Sequence, residues 1–161
     1  MSFFNRCCGS TAQAVLLAIV FGVGVASAQD YSGLGISDLV GVVDRMLQSG
    51  NYDGAIPALK EIVSRTSSMS DAQGKETCQN ARFQLARSYV RSGKTDGAML
   101  VMEEYLNNDP RKKEQLVLRM MAQSCFDTQD WTKIEELCLR LLSLKDLEKE
   151  ERYTANLLLG Q

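Results

Sequence analysis

The sequence predicts an all-α fold, built as a stack of antiparallel helical hairpins. Three observations predict it. From Ile36 onward, apolar residues recur at steps of three and four, the period of an amphipathic helix, and almost no alternating strand pattern is present. The same helix-ending and helix-opening punctuation returns three times, around Gly50, Gly93 and Gln129. These positions lie 43 and 36 residues apart, which falls within the roughly 20–50-residue periods of solenoid arrays.

The first element is a targeting segment. Residues 11–28 carry no charge, Arg6 precedes them, and the strongly apolar part runs from Ala14 to Ala26. That run is shorter than the about 20 residues a membrane-spanning helix needs, and it matches the roughly 7–15 of a signal-peptide core. Ala26-Ser27-Ala28 supplies the small-x-small cleavage site, so residues 1–28 read as a signal peptide cut before Gln29. Cys7 and Cys8 precede the apolar core, where a lipoprotein cysteine does not stand, and they leave with the signal. The expectation is an exported chain, periplasmic or secreted, with no integral membrane segment after cleavage. Residues 29–35 form a short leader.

The first hairpin is read from Leu39, Val42, Val43 and Met46, followed by Ala55, Leu59 and Ile62. The second comes from Phe83, Leu85, Ala86 and Tyr89, followed by Ala98, Val101, Met102 and Tyr105. The third comes from Leu118, Met121, Ala122 and Cys125, followed by Ile134, Leu137, Cys138 and Leu141. Gly50 and Gly93 suit the left-handed position just past a helix end, and Ala55 and Ala98 let paired helices approach closely. Asp109-Pro110 closes the second hairpin, because proline cannot continue a helical ladder. The extra residues of the first interval fall around the Ser/Thr-rich stretch 64–74, which reads as the one long connection.

These residues resemble the tetratricopeptide-repeat family. Its pattern places Leu, a small residue and an aromatic in the first helix. A glycine follows at the turn, then a small and a large apolar residue in the second helix, and a terminal proline. Residues 79–112 fit best, through Leu85, Ala86, Tyr89, Gly93, Ala98, Met102, Tyr105 and Pro110. Residues 36–69 and 115–148 are similar, the latter with Gln129 and Ile134 where the glycine and the small residue belong. Residues 149–161 resemble the start of a fourth unit, with Leu159 and Gly160 in its signature pair, or else serve as a capping helix. The resemblance implies a right-handed superhelical stack, a tetratricopeptide-like solenoid. It also implies a protein or peptide partner held in a groove lined by the first helices. By position, Arg82, Gln84, Arg87, Ser88, Arg91 and Gln123 are the residues expected to reach that groove. The resemblance extends to exported bacterial members of the family that serve envelope assembly.

Little in the sequence points to catalysis. With no histidine, imidazole acid–base chemistry and histidine metal sites are excluded. The glutamates at 103, 104, 135, 136, 148, 150 and 151 alternate with basic residues, as on a solvated helix face. No phosphate-binding glycine loop, nucleophile elbow or calcium loop is present. No enzyme and no small-molecule cofactor is therefore expected. A net charge of −2 gives no reason for a nucleic-acid partner, and Arg111-Lys112-Lys113 is too short a basic patch to supply one. Cys125 and Cys138 fall on the facing stripes of one hairpin, which makes a disulfide between them one expectation. Buried free thiols, Cys78 included, are the other. The functional expectation is an exported scaffold that binds a protein or peptide. The alternative is a docking or spacer module of a larger exported enzyme or secretion apparatus.

Overall fold

The structure, a computed structural model, describes residues 31–108 and 113–160. The expected signal segment, the Asp109-Pro110 helix ender, Arg111, Lys112 and Gln161 lie outside the described residues. Seven helices make up the described chain. They are α1 (Ile36–Gln48), α2 (Tyr52–Thr66), α3 (Ala72–Arg91), α4 (Thr95–Asn107), α5 (Glu114–Asp127), α6 (Trp131–Leu142) and α7 (Lys149–Leu159). They pack in sequence, α1 on α2, α3 on α4 and α5 on α6, and each hairpin contacts the next through α2/α3, α4/α5 and α6/α7. The α2/α3 junction is the most extensive and α4/α5 the slightest of the sequential ones. The fold is an all-α stack of hairpins with no strand among the described residues.

The three hairpin turns share one geometry. Gly50, Gly93 and Gln129 all have positive φ, at 74°, 69° and 60°. In each turn the next residue's amide reaches back over the helix end, from Asn51 to the Met46 carbonyl, Lys94 to Tyr89 and Asp130 to Cys125, at 2.8–3.0 Å. The left-handed residue itself donates to Leu47, Val90 and Phe126, at 3.1 Å in each case. This double bond pattern is the Schellman end, which satisfies carbonyls the helix leaves open. The same residue that closes one helix also opens the next. Asn51 accepts from the Gly54 amide and Asp130 from the Lys133 amide, as N-caps do, whereas Lys94 provides no side-chain cap.

Packing follows the predicted stripes. Leu39, Val43, Leu59, Ile62, Leu85, Met102, Leu118, Met121, Ile134, Leu137, Cys138 and Leu141 are all buried in one continuous core. Ala55 and Ala98 are fully buried at the helix crossings. Beside Ala98, a Cβ on Gly97 would stand 3.0 Å from the Tyr89 ring, so glycine lets α4 lie close against α3 there. At the N-terminal end Tyr31 is buried in the first hairpin, and the Arg65 guanidinium donates to the carbonyls of Tyr31 and Leu34. This ties the leader onto the array.

Two expectations are corrected. The long connection around 64–74 is a short one. Helix α2 continues to Thr66, whose hydroxyl bonds back to the Ile62 carbonyl, and α3 begins at Ala72 with Asp71 capping the Gly74 amide at 2.7 Å. Its composition suggested a loop because Ser, Thr and Asp also serve as caps and back-bonding residues. The second unit accordingly starts before residue 79, and α3 is the longest helix described. Trp131, which opens α6, is half exposed and stands edge-on against Phe126.

Helix α7 docks on α6 and α5 through Ala155, the half-buried Leu158 and Glu151, while Tyr153, Leu157 and Leu159 remain exposed. Glu151 is buried beside Arg119, with its Oε1 2.9 Å from the guanidinium and its Oε2 without a hydrogen-bond partner. Burial raises its pKa, Arg119 opposes the rise, and Glu148 and Glu150 add to it.

Two outcomes follow from these features. Left-handed backbone costs a side-chain-bearing residue about 1–2 kcal/mol relative to glycine, so Gln129→Gly is expected to stabilise the chain by about 1 kcal/mol in urea unfolding. A neutral or destabilising effect would contradict the turn geometry. The folded pKa of Glu151 lies above its unfolded value. The protein therefore loses the corresponding stability as pH rises from the ordinary carboxylate range through the folded pKa. Urea unfolding across that range is expected to show Glu151→Gln gaining on the native sequence as pH rises. Parallel profiles would contradict the assignment.

Candidate functional site

The six residues expected to line a groove do not share one environment. Gln84, Arg87 and Arg91 follow the three- and four-residue steps that place side chains on one helix face. Gln84 is half-buried there, and Arg87 and Arg91 are exposed. Arg87 Nη1 donates to Gln84 Oε1 at 3.2 Å, and its guanidinium lies 5.8 Å from the Phe83 ring centre. Gln123 is exposed on α5. These four remain available to a partner. Ser88 is not among them, because it is fully buried with its hydroxyl lacking a hydrogen-bond partner. The position one residue on from Arg87 turns toward the core, and a small polar residue fits there by size rather than by function.

Arg82 also leaves that face. Its side chain is only 14% exposed, and its Nε lies 3.7 Å from Glu104 Oε2 on α4. That nitrogen has no hydrogen-bond partner, which costs about 1–3 kcal/mol when the group is buried. Arg82 borders a cavity of about 750 Å3, which the sequence did not suggest. The cavity is bounded by the end of α2 (Thr66, Ser67 and Met69), the first half of α3, and Tyr105 and Asn108 at the end of α4. Lys113 closes it at the start of α5. Its Nζ donates to Asn80 Oδ1 at 3.3 Å and sits 4.2 Å from the Phe83 ring centre. Phe83, read from sequence as a core residue alone, is thus buried and also presents its ring to two cations, Arg87 and Lys113. Only the repeat-spacing mismatch hinted at the cavity. The residues in excess of a regular repeat supply Lys75, Glu76 and Cys78 to its α3 wall, which Gln79, Asn80 and Arg82 continue.

A second, smaller cavity of about 300 Å3 lies among Trp131, Ile134, Glu135, Leu158 and Leu159, where α7 meets α6. Among the described residues, no group of three or more histidine, cysteine or acidic side chains is placed to hold a metal ion. No helix among them is long and apolar enough to cross a membrane.

The expected Cys125–Cys138 disulfide is not formed. Cys78, Cys125 and Cys138 are buried free thiols. Burial raises the pKa of both Cys125 and Cys138, and for Cys125 the nearby Asp130 carboxylate raises it further. The facing stripes placed both residues in the core correctly, but cysteine fills such positions as a small apolar side chain without bonding. A protonated, buried thiol is a poor nucleophile, so Cys125 and Cys138 are structural.

The tetratricopeptide-repeat family profile matches residues 46–124, from the last turn of α1 to the end of α5. A tetratricopeptide-type repeat domain is therefore present over that part of the chain. Comparison with curated proteins gave no match, and neither did comparison with solved structures. Such a repeat is a non-enzymatic scaffold that presents helix faces to other proteins, and the fold carries no reaction of its own.

Intact mass after alkylation of the folded and the urea-unfolded full chain tests the thiol assignment. Cys125 and Cys138 are expected to stay unmodified when folded, and, Cys7 and Cys8 aside, both are expected to react together with Cys78 once unfolded without a reductant. Failure of Cys125 and Cys138 to react in the unfolded chain would restore the disulfide.

Proposed function

We propose that this chain is an exported helical-repeat scaffold that binds a protein or peptide partner in cell-envelope assembly. The observation that carries the binding role is the tetratricopeptide-type array together with the polar stripe of half-buried Gln84 and exposed Arg87 and Arg91 on its central long helix. Arginine is suited to such a face. Its planar fork pairs with carboxylates in two-point contacts, and its stem covers apolar surface. The role in export rests on the sequence: a charge-free apolar core of signal-peptide length, a preceding Arg6 and the Ala26-Ser27-Ala28 site. The domain organisation that goes with it is a signal over 1–28, a leader over 29–35 and the repeat array from 36.

Two measurements test the proposal. N-terminal sequencing of the chain expressed in a bacterial host is expected to begin at Gln29, in the periplasm or medium. Retention of Met1 in the cytoplasm would contradict export. Immobilised full chain is expected to retain a stoichiometric partner from envelope extract. The Arg87→Glu, Arg91→Glu double variant is expected to weaken that capture about tenfold or more, since reversing interface charges costs several kcal/mol. No partner at any salt concentration, or capture unaffected by the double variant, would contradict the assignment of this face.

A further inference from the structure

We propose that the cavity at the lengthened end of α3 is a binding pocket for a ligand that carries a carboxylate on an apolar stem. The site is separate from the helix face assigned to the protein partner, and its existence does not depend on that partner.

The pocket originates in the irregular spacing of the repeat. A regular array would start the second hairpin near residue 79, level with its neighbours. Instead α3 begins at Ala72, while its partner α4 ends at Asn107 and Tyr105 lies beside Gln79. The first two turns of α3 therefore project past the end of α4. Their Lys75, Glu76 and Cys78, with Gln79, Asn80 and Arg82 further along α3, face the α2 terminus across about 750 Å3, within the range of small-molecule sites.

The lining has the chemistry of an acid's complement. Among the described residues, Lys75, Arg82 and Lys113 line the cavity against one lining carboxylate, Glu76. Arg82 is the anchor. It lies at the wall, mostly buried, and its Nε is held only loosely, 3.7 Å from a Glu104 that is itself largely exposed. A ligand carboxylate would supply the acceptor that this buried donor lacks, and a guanidinium binds carboxylates in a fixed two-point geometry. Lys75 is exposed at the rim and adds long-range attraction. Met69, Cys78 and Tyr105 make up the apolar part of the wall, which suits a hydrocarbon stem and not a bare ion. Asn80 and Asn108 offer side-chain amides at the margin.

The full chain is to be titrated with hexanoate, with hexanamide as its neutral counterpart, while backbone amides are followed by NMR. Hexanoate is expected to shift the amides of Lys75, Gln79, Arg82 and Asn108, and hexanamide is expected to bind at least about tenfold more weakly because it loses the charge-assisted bonds. Lys75→Gln, on the exposed rim where folding is not at issue, is expected to weaken hexanoate several-fold and to flatten its salt dependence. Arg82→Gln is expected to abolish binding if its amide spectrum stays folded. N-acetylglutamate amide distinguishes the sources. If it binds as hexanoate does, a peptide side chain is the natural ligand, and if hexanoate alone binds, a free organic acid is; either outcome supports the carboxylate pocket. Equal binding of hexanamide and hexanoate, inorganic phosphate binding as well as hexanoate, or no shift in α3 with either carboxylate would overturn it.

Discussion

The architecture depends on one backbone constraint, a left-handed residue placed directly after the first helix of each hairpin. At Gly50, Gly93 and Gln129 the chain reverses with the same pair of backward hydrogen bonds, and the next residue opens the following helix. The reversal sets where each second helix starts relative to the first. That register brings Ala55 and Ala98 to the helix crossings, where their small side chains allow close approach. The core stripes then meet with little freedom to slide. The third hairpin keeps the geometry with glutamine at the left-handed position and Ile134 at the crossing, so its conformation is imposed by packing rather than favoured locally.

A fixed turn register also decides where irregularity goes. The interval between the first two turns is longer than the next, and neither turn absorbs the excess. The excess enters the connection between hairpins and is taken up as helix, with Asp71 capping its new start. The projecting end of α3 is thus a by-product of regular turns and an irregular spacing, and it helps to form a large cavity beside the mostly buried Arg82. Two surfaces with different chemistry result. One is an exposed polar stripe along α3, open to a large partner. The other is an enclosed, cation-lined space at the helix end, sized for a small group.

Much of this was legible in the sequence, because helix period and turn glycines are local signals. The stripes from Leu39 to Leu141 and the turns at Gly50, Gly93 and Gln129 could be read directly. The stretch 64–74 was misread because Ser, Thr and Asp favour both loops and helix ends, and local composition does not separate the two. Pro57 lies within α2 with no helix break, as Ala55, Ala58, Leu59 and Ile62 hold the helix against the core on either side. The candidate site was read less well. Position along a helix identified Gln84, Arg87 and Arg91, but Ser88 and Arg82 turn away from that face by an angle that counting residues does not resolve. The cavity arises from elements far apart in sequence, so no local pattern announced it.

The projecting end of α3 and the cavity beside it require the excess residues of the first interval to be helix. Amide hydrogen exchange of the full chain across residues 67–82 measures this directly. If α3 begins at Ala72, amides from Glu76 onward exchange slowly, in step with Leu85 and Tyr89, while those of Ser67–Ser70 exchange freely. Fast exchange through Cys78, with protection beginning only near residue 79, would contradict it. The second hairpin would then be of regular length, with no projecting helix and no pocket.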